Sequence, residues 1–361
     1  MALFSSTNSY LGLDIGTSAI KIVELLNRRQ RIEVATYGSV NVPNMLLDAR
    51  ANETEIIEKV SGIIKQLASQ AGVVSDSVIA ALPSSIVFST VISMPNLPDA
   101  ELDQAVRFAA RDIVPADLED TVLGWSRVGQ RPHMEGEKTP VGSSSPKGDK
   151  SPIFIIAAPK DVVDRYKKVI TAANLELVAL EVETFPLVRS LLSGEKDSSL
   201  IVDIGDRVTT YHIIDEGTPR VSFSLDLGGR DITDAIAQGM KISNEQAHSH
   251  KVAHGISSVA PQDYLSAAKG PVDMLITQGN QLLSMYAGQH KRSIKKIVLI
   301  GGGAKLKALD EVWTKSGEFK VSVGNPWRGL SYPQQLDQRI KELGPTYAVA
   351  IGLAQRRLTH V

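Results

Sequence analysis

Two short stretches end an apolar run on a carboxylate and follow it with a glycine. Asp14-Ile15-Gly16-Thr17-Ser18 closes the run that begins at Leu11, and Asp203-Ile204-Gly205 closes the run that begins at Leu200. Glycine lets a turn approach an oxyanion closely. In the first stretch, backbone N–H groups and the Thr17 and Ser18 hydroxyls can donate to phosphate oxygens. Each Asp stands at a strand end, where a carboxylate can hold Mg2+ through the water that this ion retains. Lys21 follows on the next strand and can reach a phosphate as a point charge. A hairpin turn with a capping Asp is the other reading of this stretch. In the second stretch Asp206 and Arg207 stand where Gly, Ser or Thr would suit a phosphate. A carboxylate there costs Coulomb energy unless Mg2+ or Arg207 offsets it, and a structural turn is an equal alternative. A third stretch, Ile300-Gly301-Gly302-Gly303-Ala304-Lys305-Leu306, reads as a strand, a triple-glycine turn and a helix start. Bare backbone of this kind can receive a flat base or ribose, and a helix N-terminus favours a phosphate. Glycine-rich strand-to-helix turns are also common where no ligand binds.

These turns need elements to hold them. Residues 10–25 read as two strands joined by the Gly-Thr-Ser turn, and 31–42 as a third strand. Residues 53–71 carry Ile56, Ile57, Val60, Ile63, Ile64, Leu67, Ala68 and Ala71 on one helical stripe. A strand at 76–81 ends this first-lobe core, residues 1–83, which about 183–195 would complete. Residues 84–182 read as an inserted α+β unit: a strand at 87–94, a helix N-capped by Asp99, a strand at 122–128, a second strand and helix at 153–158 and 160–173, and a strand at 177–182. Within it, 129–152 is rich in Gly, Pro, Ser and Lys and predicts a mobile loop. From about 196 to 361 the first pattern restarts, with helices at 231–240, 244–253 and 271–290, a buried-type strand at 296–300 and a closing helix at 347–357; about 229–295 is a second insertion. The repeat of Asp14-Ile-Gly16 as Asp203-Ile-Gly205 predicts two like lobes facing across a cleft.

The remaining composition narrows the function. The 361 residues carry a net charge of −1 with Lys and Arg dispersed among acids, which excludes a basic nucleic-acid surface. The absence of cysteine excludes disulfides and thiol chemistry and fits a reducing compartment. The polar start lacks the pattern of a secretory signal, and no apolar run reaches the roughly 18 residues of a spanning helix. His248, His250 and His254 resemble a metal cluster, but a solvated helix explains them better. Trp313 and Trp327 read as core. Ser84-Ser85 lacks the elbow of a hydrolase nucleophile.

The order of the three turns follows that of the actin superfamily, which includes sugar kinases, DnaK-type chaperones, actin and the division protein FtsA. Within it the chain resembles the PilM branch of type IV pilus assembly over most of its length. The resemblance runs through the opening stretch from Leu11 to Leu25, Met94-Pro-Asn-Leu-Pro98, Arg111-Asp-Ile-Val-Pro115, Ala157-Ala-Pro-Lys160, Leu227-Gly-Gly-Arg-Asp-Ile-Thr233, Ile242-Ser243, the triple glycine and Tyr347-Ala-Val-Ala-Ile-Gly-Leu-Ala354. It implies an α/β actin-like bilobal fold, two RNase H-like lobes with the α+β insertion in the first. It also implies ATP or ADP in the interlobe cleft, with Mg2+ held between Asp14 and Asp203.

By the same resemblance, Asp14, Gly16, Thr17, Ser18 and Lys21 match the first phosphate motif. Asp203 and Gly205 match the second, and Gly301, Gly302, Gly303 and Lys305 lie in the adenosine motif. Lys251 matches a lysine near the adenosine, with His248 in the place of its usual Glu neighbour. Glu183 resembles the acidic residue of the first connecting motif and is the nearest candidate to orient an attacking water. The implied partner is a PilN-like single-span membrane protein, whose cytoplasmic N-terminal tail binds a groove between the first-lobe core and the insertion. Contact with other platform components and self-association are further expectations, as is a cytoplasmic place at the inner membrane through the partner. Active ATPase or FtsA-like filament former are the rival readings. The chain stops after its closing helix, without the linker and amphipathic helix of FtsA, and this argues against direct membrane attachment.

Overall fold

The computed structural model describes residues 9–28, 31–42, 52–128, 133–134, 150–195 and 197–358. The first lobe begins with an antiparallel meander, β1 (Ser9–Ile15), β2 (Ala19–Arg28) and β3 (Arg31–Asn41). Then follow α1 (Glu53–Ala71) and β4 (Ser77–Leu82), which lies parallel to β1. The local signals for α1 are complete. The Asn52 side chain accepts from the Thr54 N–H, Gly72 ends the helix with φ of 70°, and Ile56, Val60, Ile64 and Leu67 are buried. Each such side chain contributes about 1.5–3 kcal/mol by leaving water.

The insertion comprises β5 (Phe88–Pro95), α2 (Asp99–Ile113), β6 (Thr121–Arg127), β7 (His133–Met134) and β8 (Lys150–Pro159). Its sheet has the order β5-β8-β6-β7. Two expectations change here. Asp99 is the first residue of α2 rather than its cap, and its carboxylate pairs with Arg127 at 3.0 Å. β8 begins at Lys150, three residues early, because 150–152 pair in register with Ser93, Met94 and Pro95. Most of the proposed 129–152 loop lies outside the described residues.

After α3 (Lys160–Ala172) comes β9 (Glu176–Val182), and it corrects the boundary expected at 182. β9 runs parallel to β4 and completes the first-lobe sheet β3-β2-β1-β4-β9. α3 packs on α1, with Val163, Tyr166, Val169 and Ile170 in the core of that lobe. The insertion therefore ends with β8. The apolar period of 177–182 gives a strand but does not say which sheet it joins.

Beyond α4 (Thr184–Leu191), the second lobe comprises β10 (Ser199–Ile204), β11 (Thr209–Asp215), β12 (Thr218–Leu225), α5 (Gly229–Met240), α6 (Asn244–His254), α7 (Gln262–His290), β13 (Lys296–Ile300), α8 (Leu309–Thr314) and β14 (Lys320–Val323). The last two helices, α9 (Asp337–Leu343) and α10 (Ala348–Ala354), return to the first lobe, where Ile340, Ala350 and Ile351 pack with Val23 and Leu25 of β2, so the expected second lobe does not extend to 361. The second-lobe sheet, β12-β11-β10-β13-β14, repeats the first in order and in every pair direction. α7 starts nine residues before the expected Pro271 and runs through it. Tyr264, Ala268, Val272 and Leu275 form one buried stripe across that proline, and packing outweighs the hydrogen bond lost there. Trp313 and Trp327 are both core residues, as their type predicts.

The lobes share a core. Ile79 and Ala81 of β4, Leu187 and Leu191 of α4, Ile201 of β10, Val298 and Ile300 of β13, and Ala348, Val349 and Leu353 of α10 pack as one cluster. α4 and α10 cross closely: a Cβ on Gly352 would stand 1.9 Å from the Pro186 carbonyl oxygen. The Glu181 side chain, 8% exposed, sits at this joint and pairs with Arg189 and Arg356, each at 2.7 Å. Among the described residues no helix is long and apolar enough to cross a membrane.

Candidate functional site

The two acidic turns share one construction. The Gly16 N–H donates to the Ala19 carbonyl at 3.0 Å, and the Gly205 N–H to the Val208 carbonyl at 2.9 Å. Asp14 and Asp203 are each the penultimate residue of the strand before the turn. Lys21 is the cross-strand partner of Asp14, and their side chains form an ion pair at 3.0 Å. The lysine expected to reach a phosphate is thus held by its neighbouring carboxylate.

Glu183 follows β9 directly and opens α4, between the two turns. Its carboxyl accepts the Ser84 N–H at 2.9 Å. Desolvation, then the charges of Asp14 and Asp203, push it up to about 8. Asp203 is pushed up to about 6, by desolvation foremost and by Asp14 against the pull of Lys21. Burial would lower Lys21, but Asp14, Asp203 and Glu183 together hold it above its ordinary value. One carboxylate therefore pairs with the ammonium, and two further carboxyl groups act on it through their charge, where the lobes meet. They meet this excess of negative charge by keeping a proton on Glu183. Hard oxygen donors in excess of the local cations are a donor set suited to Mg2+. Among the described residues no three His, Asp or Glu side chains converge as a metal cage, so such an ion would keep most of its water.

The glycine-rich stretch after β13 lies on the second turn, and its roles divide. Gly301 has φ of 80°, and a Cβ there would stand 2.3 Å from Asp203 Oδ1 and 2.5 Å from the Ile204 carbonyl oxygen. A Cβ on Gly303 would meet Ile204 Cγ2 at 2.1 Å, while one on Gly302 would meet nothing within 4 Å. Two of the three glycines are thus required by the protein's own second turn, and Gly302 alone presents open backbone. The helix start expected here is a single 3-10 turn, Gly303–Lys305, and α8 begins only at Leu309. Lys305 is exposed as a residue, yet partial desolvation of its ammonium, and then the charge of Arg339, lower its pKa.

The second turn is also fastened from α5. The Gly229 N–H donates to the Gly205 carbonyl at 2.9 Å and the Arg230 N–H to the Asp206 carbonyl at 2.8 Å. The Arg230 guanidinium pairs with Asp206 at 2.9 Å. The charge of Asp206 is therefore answered by Arg230, not by the neighbouring Arg207, which is exposed. Lys251 on α6 donates to the Gly229 carbonyl, and to Thr233 Oγ1 at 2.6 Å. Burial lowers its pKa against the pull of Asp206 and Asp234. Asp14, Lys21, Glu183 and Asp203 thus form one electrostatic group. Gly205, Gly301 and Lys251 are tied to the second turn, and Gly302 and Lys305 stand at its rim. Of the three histidines on α6, His250 and His254 stack with centroids 5.5 Å apart.

Sequence reasoning passed over Arg230 and His212. Arg230 lies 24 residues from the acid it answers, although the adjacent Gly-Gly pair was a signal of close backbone approach. His212 on β11 is fully buried, and desolvation holds its imidazole at about 3. An imidazole in the unfolded chain takes a proton near pH ~6.5. Between these values the unfolded state binds more protons, so stability falls as pH drops through the window. At pH 5 this group costs about 2 kcal/mol. Glu183 and Asp203, both raised in the fold, gain stability over the same window, so the His212 contribution is read as a difference: in urea melts between pH 7 and pH 5, His212→Gln is expected to gain about 2 kcal/mol relative to the parent.

Comparison with known proteins agrees with this geometry. The family described as type IV pilus assembly protein PilM matches residues 12–358. The cell division protein FtsA of Enterococcus faecalis is 22% identical over 75% of this chain, and the alignment spans 63% of that protein's length. Among solved structures, a PilM-PilN type IV pilus biogenesis complex superposes with a TM-score of 0.81 at 25% identity, covering 97% of this chain and 98% of its own. The ethanolamine utilization protein EutJ from Carboxydothermus hydrogenoformans gives 0.55 at 15% identity, over 96% of this chain and 89% of its own. The fold is the actin-like α/β one.

Proposed function

The chain belongs to the family of type IV pilus assembly protein PilM, and from that premise we propose that it is a nucleotide-binding scaffold of the pilus assembly platform. Its site for Mg-ATP or Mg-ADP is the cleft between the lobes, and its partner is the cytoplasmic N-terminal tail of a PilN-like membrane protein. It acts in the cytoplasm at the membrane surface through that partner. The observation that carries the nucleotide reading is the group of Asp14, Asp203 and Glu183 acting on Lys21, which is short of positive charge.

The backbone of 16–18 and the Thr17 and Ser18 hydroxyls would receive phosphate oxygens. Asp14 and Asp203 would hold Mg2+ through its water, and open backbone at Gly302 would receive the nucleoside, with Lys251 and Lys305 nearby. Bound Mg2+ supplies the positive charge that lets phosphates and carboxylates share this site. Glu183, protonated near neutral pH, is a poor base toward water, which favours binding over turnover. Arg230 keeps Asp206 from repelling a phosphate. Arg230→Ala is expected to weaken Mg-nucleotide binding about three- to tenfold, a modest loss because the pair is partly exposed, with isothermal calorimetry as the check.

Nucleotide would regulate the scaffold by shifting the population of lobe positions, so peptide affinity must differ between them. The test is fluorescence titration of a synthetic PilN-type tail peptide against the protein with and without saturating Mg-AMP-PNP. The proposal expects an affinity change of about fivefold or more. Equal affinities overturn nucleotide regulation, and no binding in either state overturns the partner.

A further inference from the structure

Ser84 stands where the first-lobe core, the insertion and the second lobe meet. It opens a single 3-10 turn, Ser84–Ile86, between β4 and β5. β4 belongs to the first-lobe sheet, and β5 is the edge strand of the inserted sheet. The backbone at this point is clamped to Glu183 twice. The Ser84 N–H donates to Glu183 Oε2 at 2.9 Å, and the Glu183 N–H donates to the Leu82 carbonyl at 3.2 Å.

The side chain of Ser84 points along a second line. Its Oγ lies 3.4 Å from Thr184 Oγ1, which lies 3.2 Å from His212 Nδ1 and 3.4 Å from Ser222 Oγ. His212 Nδ1 and Ser222 Oγ are 3.0 Å apart. Ser84, Thr184 and His212 are all buried, and His212 Nε2 has no hydrogen-bond partner. The row thus runs from the clamp on Glu183, through the first residue of α4, to β11 and β12. β12 in turn packs against β5 and the Ser84 turn.

A row of this kind is costly where apolar side chains would fill the space, since it strands the buried Nε2. It does have a property that an apolar core lacks. Every hydroxyl in it both donates and accepts, and the imidazole Nδ1 does either according to tautomer. The row can therefore be polarised in two senses with the same atoms, which is the two-state element that coupling between sites requires. At its head, a carboxyl that turned into the cleft would leave the buried Ser84 N–H unpaired, so Ser84 must follow Glu183. At its tail, a change in the row is felt by β12 and so by the edge of β5.

We propose that the Ser84–Thr184–His212 row couples occupancy of the interlobe site to the position of β5, the edge strand of the inserted subdomain. This inference rests on the nucleotide reading above. It makes Ser84 and Thr184 positioning residues that touch no ligand.

The experiment is amide hydrogen exchange over 87–95, with and without saturating Mg-AMP-PNP, in the parent protein and in Thr184→Val and Ser84→Ala. Thr184→Val keeps the shape of the side chain and removes the hydroxyl; Ser84→Ala keeps the N–H clamp and is the second probe if the first fails to fold. The parent is expected to change its exchange rate over 87–95 at least about fivefold on binding. The variants are expected to bind Mg-AMP-PNP within about threefold of the parent and to lose that change. A change that persists in a variant that binds overturns the coupling role. So does a parent that binds Mg-AMP-PNP by calorimetry with no change over 87–95; both outcomes leave the nucleotide reading standing. A parent that does not bind at all overturns that reading and this inference with it.

Discussion

Gly352→Ala is expected to lower the melting temperature by several degrees and to broaden the transition. The added Cβ would stand 1.9 Å from the Pro186 carbonyl oxygen and 2.5 Å from its carbon, both backbone atoms of the facing helix. A side chain could rotate away, but a helix carbonyl cannot. α4 and α10 must therefore separate, and with them the cluster that joins β4 and β10 through Leu187, Leu191, Val349 and Leu353. Across the same crossing the Arg189 guanidinium of α4 donates to the Gly352 carbonyl of α10. Overpacking of this kind costs about 1–3 kcal/mol and more where backbone is the obstacle. The control is Gly62→Ala in α1, where a Cβ meets nothing within 4 Å. That change removes a helix-interior glycine and is expected to gain about 0.5–1 kcal/mol. Calorimetric melts of the two proteins with the parent decide it, and a Gly352→Ala protein that melts with the parent would mean that the lobes do not meet at this crossing.

The second large effect is expected at Gly301, with a different signature. Alanine there is forced into the left-handed region, at about 1–2 kcal/mol, and its Cβ falls 2.3 Å from Asp203 Oδ1. The carboxylate must leave its place opposite Asp14. Mg-ATP affinity is expected to fall by about ten- to a hundredfold, the equivalent of about 1.4–2.8 kcal/mol, and the melting temperature to fall with it, because the Ile204 carbonyl oxygen at 2.5 Å is backbone that must also shift. Gly302→Ala, with φ of −65° and open space around it, is expected to leave the melting temperature unchanged. Melts and calorimetric titrations of the two variants check this. Equal affinity in Gly301→Ala and the parent would detach the triple glycine from the site.

Much of this architecture was legible because the deciding signals are local. The Asp-Ile-Gly turn of residues 14–16 and its repeat at 203–205 each follow an apolar strand and precede another, and two sheets of identical order grow from them. The stripe of α1 and its caps are likewise set by neighbours in sequence. What escaped was set by partners far along the chain. β9 looks like any apolar strand, and only its register against β4, 99 residues back from Glu176 to Ser77, gives it to the first lobe. Pro271 is a sound helix start by local rule, and a buried stripe on both sides of it overrides the rule. The candidate site divides the same way. Asp14 and Asp203 could be named from their turns. The protonated state of Glu183 depends on how two other carboxylates and Lys21 gather around it, and the service of Gly301 and Gly303 to Ile204 depends on where β13 docks. A triple glycine reads as ligand-facing backbone in sequence, yet two of its members are filled by the protein itself.

Calorimetric titration of nucleotide-free protein with Mg-ATP, beside Asp14→Asn, tests whether nucleotide binds between the two acidic turns. Asparagine keeps the shape and a hydrogen-bond acceptor for Lys21 while removing the charge that faces Asp203. The parent is expected to bind with ~micromolar affinity, corresponding to about −8 kcal/mol, and the variant to lose at least about a hundredfold with its melting temperature little changed. A parent that takes up no heat from Mg-ATP, or an Asp14→Asn protein that binds as the parent does, would contradict the placing of nucleotide between the two acidic turns.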